Sequence, residues 1–396
     1  MGEALSAAII VAGIAVGGLG ILAALIAIIL GCIALFFYWI YDVRKPLTFF
    51  RFPANPLFSP LPHQWWESEA VFNPAAVVHE GAVHLFYRAL GRDGISRIGY
   101  AKSLDGIHFE RLPNPVYAAE NIEEARNHHP YTSPSRLSYD TVLYASGGGW
   151  GGCEDPRAVM IDGHVYLTFN MFNGWHSMRV AITSIAGVDL SQQRFDWRRF
   201  RYLSRPGERH KNWVLFPEKI GGKYALFHNL YTGDPSRVRV SYMDELDMSK
   251  APYQHESPDP HHLPDHYVAW HNRTRSAASP PIKTSEGWLL LYHAMDKDDP
   301  NRYKVGALLL DLDDPTKVLF RSSKPVLAPD AWYENDWKAG IMYASGAVVF
   351  NGDLLVYYGG GDKHVAAAKA NLRDFLRRLT HDEHAVLEPL ENISVH

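Results

Sequence analysis

One hairpin pattern recurs five times along this chain, and that recurrence leaves few architectures open. Each copy runs apolar strand, tight turn, aromatic-rich strand, loop, third strand. The turns are Glu80-Gly81, Asp162-Gly163, Gly221-Gly222, Glu286-Gly287 and Asn351-Gly352. An acidic residue, Asn or Gly followed by Gly suits the positive φ angles that tight hairpins need. The strands after the turns read Val83-His84-Leu85-Phe86-Tyr87, Val165-Tyr166-Leu167-Thr168-Phe169, Tyr224-Ala225-Leu226-Phe227, Leu289-Leu290-Leu291-Tyr292 and Leu354-Leu355-Val356-Tyr357-Tyr358. Third strands follow from Arg97, Arg179, Val238, Lys304 and Val365. Sheets repeating at roughly sixty residues predict a β-propeller. No single sheet can cover both its faces, so the copies must stack in a ring. Two stacked sandwich domains are the competing architecture. The expected fold is all-β: a five-bladed β-propeller over residues 46–396, with an insertion from Pro113 to Trp150. That insertion ends in Gly147-Gly148-Gly149-Trp150-Gly151-Gly152, suited to close backbone approach. Residues Leu372 to Leu379 read as one short helix.

The first 45 residues are of another kind. No charge interrupts Ala4 to Tyr41. As one helix that run would measure about 55 Å, against a hydrocarbon core of about 30 Å. A membrane anchor through residues 4–41 is expected, as a single span; a hairpin at Gly17-Gly18-Leu19-Gly20 is the alternative. Tyr38, Trp39 and Tyr41 suit its interfacial end. Arg44, Lys45 and Arg51 follow it, while only Glu3 precedes it, so the positive-inside rule puts the large domain in the cytoplasm. The two cysteines, Cys32 and Cys153, give no disulfide framework. A formal net charge of −4 with interspersed signs gives no basic stripe, so no nucleic acid partner is expected.

In an antiparallel hairpin the start of the first strand and the end of the second share one edge. In a propeller that edge is one face of the ring. First-strand starts carry Asn73, Asp155 with Arg157, Lys211 with Asn212, and Ser345; second-strand ends carry Arg88, Asn170, His228 and His293. Polar groups set directly against apolar strands point to a shared functional face. Glu154-Asp155-Pro156-Arg157 is its densest cluster. A carboxyl beside apolar walls is expected to have a raised pKa and to serve as a general acid, with Arg157 forking onto a carboxylate or substrate oxygen. A structural Asp–Arg pair closing a blade is the bland alternative. Lone histidines are more often packing residues than catalysts, and of the tryptophans only Trp150 is singled out as a sugar-stacking residue. The His128-His129 and His261-His262 pairs lack metal-ligand spacing, so no metal is expected.

From about Phe72 to Leu372 the chain resembles glycoside hydrolase family 130, the β-mannoside phosphorylases and β-mannosidases. The matching segments include Phe72-Asn73-Pro74-Ala75, Tyr87-Arg88-Ala89, Ser96-Arg97-Ile98-Gly99, Glu154-Asp155-Pro156-Arg157, Leu215-Phe216-Pro217-Glu218, Pro280-Pro281-Ile282-Lys283, Tyr292-His293 and Tyr357-Tyr358-Gly359-Gly360-Gly361-Asp362. The resemblance implies a central active site with Asp155 as catalytic acid, acting through a hydroxyl of the substrate mannose. It implies that Asn73, Arg88, Ser96, Arg97 and Asp362, beside Glu154 and Arg157, bind a mannose-containing oligosaccharide or glycoconjugate, and that reaction inverts the anomeric carbon. No cofactor is implied beyond inorganic phosphate as a possible co-substrate. The family's phosphorylases tend to carry His-Arg-Pro where this chain has His228-Asn229-Leu230, and Lys211 stands where an Arg is usual. Lys211, His228, Lys283 and His293 are the residues left to hold phosphate or position a nucleophile. Hydrolysis would need a base, for which Glu218 and Glu334 are candidates by type. A membrane-held carbohydrate-binding propeller without turnover is the rival reading.

Overall fold

The computed structural model describes residues 18, 20–37, 47–118, 149, 151–172, 178–207, 210–230, 238–247, 270, 273–295, 299 and 301–381, with backbone alone at 228–230, 238, 239, 273 and 274. The chain divides into two units, Met1–Pro46 and Leu47–His396. In the first, helix α1 (Gly20–Phe37) has 18 residues, a mean hydropathy of 2.9 and no buried residue. It is long and apolar enough to cross a bilayer.

The second unit is built of sheets. After β1 (Phe50–Arg51) comes the first blade, β2 (Ala70–His79), β3 (Ala82–Leu90) and β4 (Ile95–Ser103), with β5 (Glu110–Arg111) outside. The second blade is β6 (Gly151–Ile161), β7 (His164–Phe172), β8 (Met178–Ala186) and, after the short helix α2 (Gly187–Ser191), β9 (Arg201–Tyr202). The third has β10 (His210–Ile220), β11 (Lys223–Leu230) and β12 (Val238–Met243) among the described residues. In the fourth, β13 (Arg273–Ala277) and β14 (Ile282–Lys283) share one side of β15 (Trp288–Met295), followed by β16 (Lys304–Leu310) and β17 (Val318–Arg321). The fifth is β18 (Met342–Phe350), β19 (Asp353–Gly360) and β20 (His364–Asn371), with α3 (Leu372–Thr380) after it. β1 completes that last blade, pairing Phe50 with Lys369 and Arg51 with Ala368.

The five large apolar clusters among the described residues fall one at each blade boundary. Val71, Leu85 and Tyr87 pack on Leu355, Tyr357 and Val365 between blades five and one. Phe86 and Tyr100 meet Leu167 and Phe169 between one and two. Val159 and Ile182 meet Trp213 and Leu226; Phe216 and Phe227 meet Trp288 and Leu290; Leu291 and Val305 meet Val356 and Tyr358. Those contacts run once around a circle, so the five-bladed ring is closed. Blades one and two are also stitched by a parallel bridge, Ile95 to Gly151 and Ser96 to Gly152. A Cβ on Gly152 would sit 2.2 Å from the Ser96 carbonyl oxygen, so only glycine fits.

Four of the five expected turns have both residues at positive φ: Glu80-Gly81 at 45° and 71°, Asp162-Gly163 at 48° and 74°, Gly221-Gly222 at 58° and 81°, and Asn351-Gly352 at 51° and 83°. The fourth hairpin differs. Lys283 pairs with Trp288, so the loop holds four residues, closed by Thr284 N–H to Gly287 O at 3.0 Å and by the Thr284 hydroxyl.

Candidate active site

Every inner strand carries one extra residue near the same end. The register jumps between Phe72 and Ala75, Glu154 and Arg157, Lys211 and Val214, Thr274 and Ser276, and Ala344 and Gly346. A bulge of this kind unpairs the ladder and re-aims a side chain. In the first three blades the bulge places a non-glycine residue at left-handed φ: Asn73 at 48°, Asp155 at 49° and Asn212 at 58°. Such positions cost about 1–3 kcal/mol and persist only where neighbours hold them. The holders are visible. Arg157 donates from Nη1 to the carbonyls of Asp155 and Pro156, each at 3.1 Å, and from Nε to Ala278 O at 2.5 Å. Asn170 Oδ1 accepts from the Asn212 N–H at 2.8 Å, and its Nδ2 donates to Asn212 Oδ1 at 3.1 Å. Gly359 leaves room for Asn73, since a Cβ there would lie 2.2 Å from Asn73 Oδ1.

The result is one pit. Its wall includes Asn73, Asp155, Asn212 and Arg275, the bulge residues of four blades, with Phe72, Arg88, Lys211, Tyr303, Lys338, Ile341, Tyr343 and Asp362. It encloses about 480 Å³, open mouth included. Ser345, the fifth bulge residue, instead donates to Pro74 O at 3.1 Å and ties blade five to blade one.

Asp155 is held on both oxygens. Oδ1 accepts from Asn73 Nδ2 at 2.7 Å and Arg88 Nη1 at 3.1 Å, and Oδ2 from Asn170 Nδ2 at 3.3 Å. Arg88 also donates to Glu154 Oε1 at 3.0 Å and, through Nε, to Ser96 Oγ at 3.0 Å. Lys211 donates to the other Glu154 oxygen at 3.0 Å. Burial pushes the Asp155 pKa up, but Arg88, Lys211 and the Asn73 hydrogen bond outweigh it and bring it down to about 2. The raised pKa expected from the sequence is therefore corrected: apolar walls are present, and the cations around the carboxyl win. Asp155 is a carboxylate at neutral pH in the unliganded protein.

The sequence-expected residues separate into three groups. Asn73, Arg88, Asp155, Lys211 and Asp362 line the pit; Asp362 stands at φ 53° and accepts from Lys338 Nζ at 3.2 Å. Glu154, Ser96 and Arg157 lie behind the wall. Arg157 does not fork onto a carboxylate; it holds backbone carbonyls and lies 5.2 Å from the Tyr343 ring centroid. Arg97 is bound to Asp93 at 2.6 Å and lies over Trp65. The structure does not bring Lys283 or His293 to the pit. Lys283 sits at the turn end of its blade, exposed, paired with Glu218. His293 is fully buried; its Nε2 accepts from the Ala344 N–H at 2.9 Å, and its ring stacks on Tyr343. Burial and the charge of Arg157 hold its pKa well below the ordinary value, so it is neutral. The side chain of His228 and the whole of Trp150, His128, His129, His261 and His262 lie outside the described residues. Among the described residues no His, Cys, Asp or Glu group is arranged to hold a metal.

Neither base candidate reaches the pit wall. Glu334 is buried, bound by Arg51, by Tyr358 Oη at 2.8 Å and by the N–H groups of Asp330 and Ala331. Sequence reasoning missed Arg275, Tyr303, Lys338 and Tyr343. Arg275 occupies the bulge register of blade four, which the broken inner strand hides in the sequence. Lys338 and Tyr303 arrive on loops and carry no sequence signal.

The chain is similar to known proteins over most of this unit. The family model Glyco_hydro_130, described as beta-1,4-mannooligosaccharide phosphorylase, matches residues 51–128 and 141–380. A 1,2-beta-oligomannan phosphorylase of Thermoanaerobacter sp. (strain X514) is 34% identical over 334 residues, spanning 82% of this chain and 97% of the relative. A beta-1,2-mannobiose phosphorylase of the same strain is 34% identical over 333 residues, spanning 80% and 95%. A solved structure, reported with GH130 hydrolases that target beta-1,2 mannosidic linkages in Candida mannan, matches at a TM-score of 0.64 and 24% identity, covering 82% of this chain and 94% of that one. That last likeness is one of fold.

Proposed function

This chain belongs to glycoside hydrolase family 130, and from that membership we propose that it cleaves β-mannosidic bonds by inverting phosphorolysis, β-1,2 bonds first among them. The linkage follows the names of the two relatives at 34% identity. The observation that carries phosphorolysis is the charge of the pit. Arg88, Lys211, Arg275 and Lys338 line it against two carboxylates, Asp155 and Asp362; with Glu154 behind the wall, paired to Arg88 and Lys211, and Asp362 paired to Lys338, four cations still face three carboxylates. Inverting hydrolysis needs a second carboxylate to activate water. Phosphate is a nucleophile without one and needs cations to gather its charge.

In this reading the terminal mannose rests on Asn73, Arg88, Asp155 and Asp362. Phosphate sits by Lys211 and Arg275. Its oxygen forms a bond to C1 as the C1–bridging oxygen bond breaks, and the departing oxygen takes a proton from Asp155 through a mannose hydroxyl. The products are α-mannose 1-phosphate and a chain one sugar shorter. Asp155 must first gain that proton. An anion beside Lys211 offsets part of the cationic field that keeps the carboxyl ionised, so phosphate binding and charging of the acid are linked.

The test is product analysis on β-1,2-mannobiose with and without phosphate. Mannose 1-phosphate formed only with phosphate supports the proposal. Free mannose at the same rate without phosphate would replace it with hydrolysis, and binding without any release would leave a lectin-like propeller. We further propose residues 1–45 as membrane anchor and juxtamembrane segment, and residues 46–396 as a catalytic domain on the cytoplasmic side, where free phosphate is plentiful. Support comes from α1 and from Arg44, Lys45 and Arg51 against Glu3. Protease digestion of sealed vesicles of known orientation distinguishes the two sides.

A further inference from the structure

Two tryptophans among the described residues are mostly exposed in the second unit, Trp65 at 59% and Trp332 at 63%. A single exposed aromatic ring is ordinary on a folded domain, so what matters is what stands beside it. Trp65 has a cation: the Arg97 guanidinium lies 4.5 Å from its ring centroid. Trp332 carries no stacked partner among the described residues. Its two ring contacts, to Tyr333 and His364, are edge-on at 84° and 71°.

The backbone that carries the indole is also held in place. Trp332 opens a single 3-10 turn, Trp332–Glu334, whose Glu334 carboxylate takes N–H groups from Asp330 and Ala331 and the guanidinium of Arg51. Asn335 closes the loop, donating to Ala331 O at 2.8 Å and accepting from the Gly340 N–H at 3.0 Å. The same loop delivers Lys338 to the pit wall, and the Lys338 N–H is fixed to Gly361 O at 3.0 Å. His364, against which the indole leans, stands two residues past Asp362 of the pit. It is fixed by Ser59 Oγ at 3.0 Å and by Asp336 Oδ2 at 2.9 Å. Asp336 and Lys363, each with a third of its side chain exposed, pair beside it at 2.9 Å. Hydrogen bonds from Lys363 and His364 keep the Asp336 pKa low, so it is an ionised acceptor at neutral pH.

An aromatic ring carried on a pinned turn beside an ionised carboxylate and an ammonium suits one ligand chemistry well. The apolar C–H face of a pyranose covers the indole, and its hydroxyls reach acceptor and donor alongside. We infer that Trp332, with Asp336 and Lys363, forms a subsite for a sugar ring beyond the pit, so that the protein prefers oligosaccharides to disaccharides. The inference rests on the mannoside reading of the pit and names the length class of its substrate.

The experiment compares kcat/KM for β-1,2-mannotetraose and β-1,2-mannobiose, with phosphate, in wild type, Trp332→Leu and Trp332→Phe. Leucine keeps apolar bulk but loses the π face; phenylalanine keeps the face. The tetraose-to-biose ratio should fall about tenfold in Trp332→Leu, mainly through KM. It should recover at least in part in Trp332→Phe, with melting temperatures alike. A ratio unmoved in Trp332→Leu, or equal loss on both sugars, would overturn the inference. If wild type turns over neither sugar, the phosphorylase reading fails by itself. The subsite is then read by calorimetric titration of the two sugars without phosphate, and binding no tighter for the tetraose, or equally tight in wild type and Trp332→Leu, would overturn it.

Discussion

The two ends of an inner strand use the same unusual backbone conformation for opposite purposes. At the turn end, Glu80, Asp162 and Asn351 stand at φ 45°, 48° and 51°; at the pit end, Asn73, Asp155 and Asn212 stand at 48°, 49° and 58°. At the turns a following glycine and the hairpin geometry make the conformation natural, and nothing distant is needed. In the pit it is imposed from outside: by Arg157, which grips the Asp155 carbonyl while anchored on Ala278 O of another blade, by Asn170 on the Asn212 N–H, and by the clearance Gly359 gives Asn73. Local chemistry yields a bend; remote chemistry yields an aimed side chain. The contrast can be broken from either end.

The largest effect should come from Asp155→Asn. It keeps the shape and removes the proton carrier, so mannose 1-phosphate release should drop about 10²–10⁴-fold with the circular dichroism spectrum unchanged. Retention of a tenth or more of the rate would remove Asp155 from the chemistry. Next is Gly359→Ala. The added methyl meets Asn73, so this variant should lose about 1–3 kcal/mol of stability and at least about tenfold in kcat/KM, both visible in urea melts and initial rates. Its counterpart, Gly352→Ala, meets nothing within 4 Å but stands at φ +83°. It should cost about 1 kcal/mol from backbone strain alone and leave kcat/KM within twofold.

The pH dependence of stability draws on both ends. His84, near the turn of blade one, is pulled from 6.5 down to about 4, burial being the main cause. Its folded pKa lies below the unfolded one, so its contribution is complete above pH 6.5 and fades as pH falls toward 4. Asp155 is likewise depressed, from 3.8 to about 2, and its contribution is lost only below pH 4. Denaturation midpoints measured from pH 8 to 3 should therefore begin to fall near pH 6.5. His84→Gln should make that first decline shallower, the remainder belonging to His293 and His364, which are also held below the ordinary histidine value, and leave the steeper one below pH 4. The smallest effect belongs to Asp162→Gly: relief of a left-handed side chain offsets the added freedom of the unfolded chain, for a net change within about 1 kcal/mol and no change in rate.

This contrast also explains what was legible beforehand. Turns announce themselves in two adjacent letters, so the hairpins, the blade count and the strand ends carrying Asn73, Arg88 and Asp155 could be read directly. The fourth hairpin misled because its inner strand is broken. Ile282-Lys283 pairs at the turn end, and the pit end is Arg273–Ala277, which hides Arg275 and promotes Lys283. His293 misled because its neutral ring serves a backbone N–H, a partnership fifty-one residues away. The direction of the Asp155 shift was out of reach for a similar reason. The apolar run Ala158-Val159-Met160-Ile161 is written just after it, whereas Arg88 and Lys211 act on it from other strands.

One further consequence follows from β1 lying against β20. β1 has no strand to pair with until residues 364–371 leave the ribosome, so for most of synthesis four blades exist beside a bare seam. Trimming either end of the unit, or splitting it between blades, should open the circle at that seam. A circular permutant joining residue 380 to residue 47, and starting instead at the Gly221-Gly222 turn, should keep the seam sealed within continuous chain.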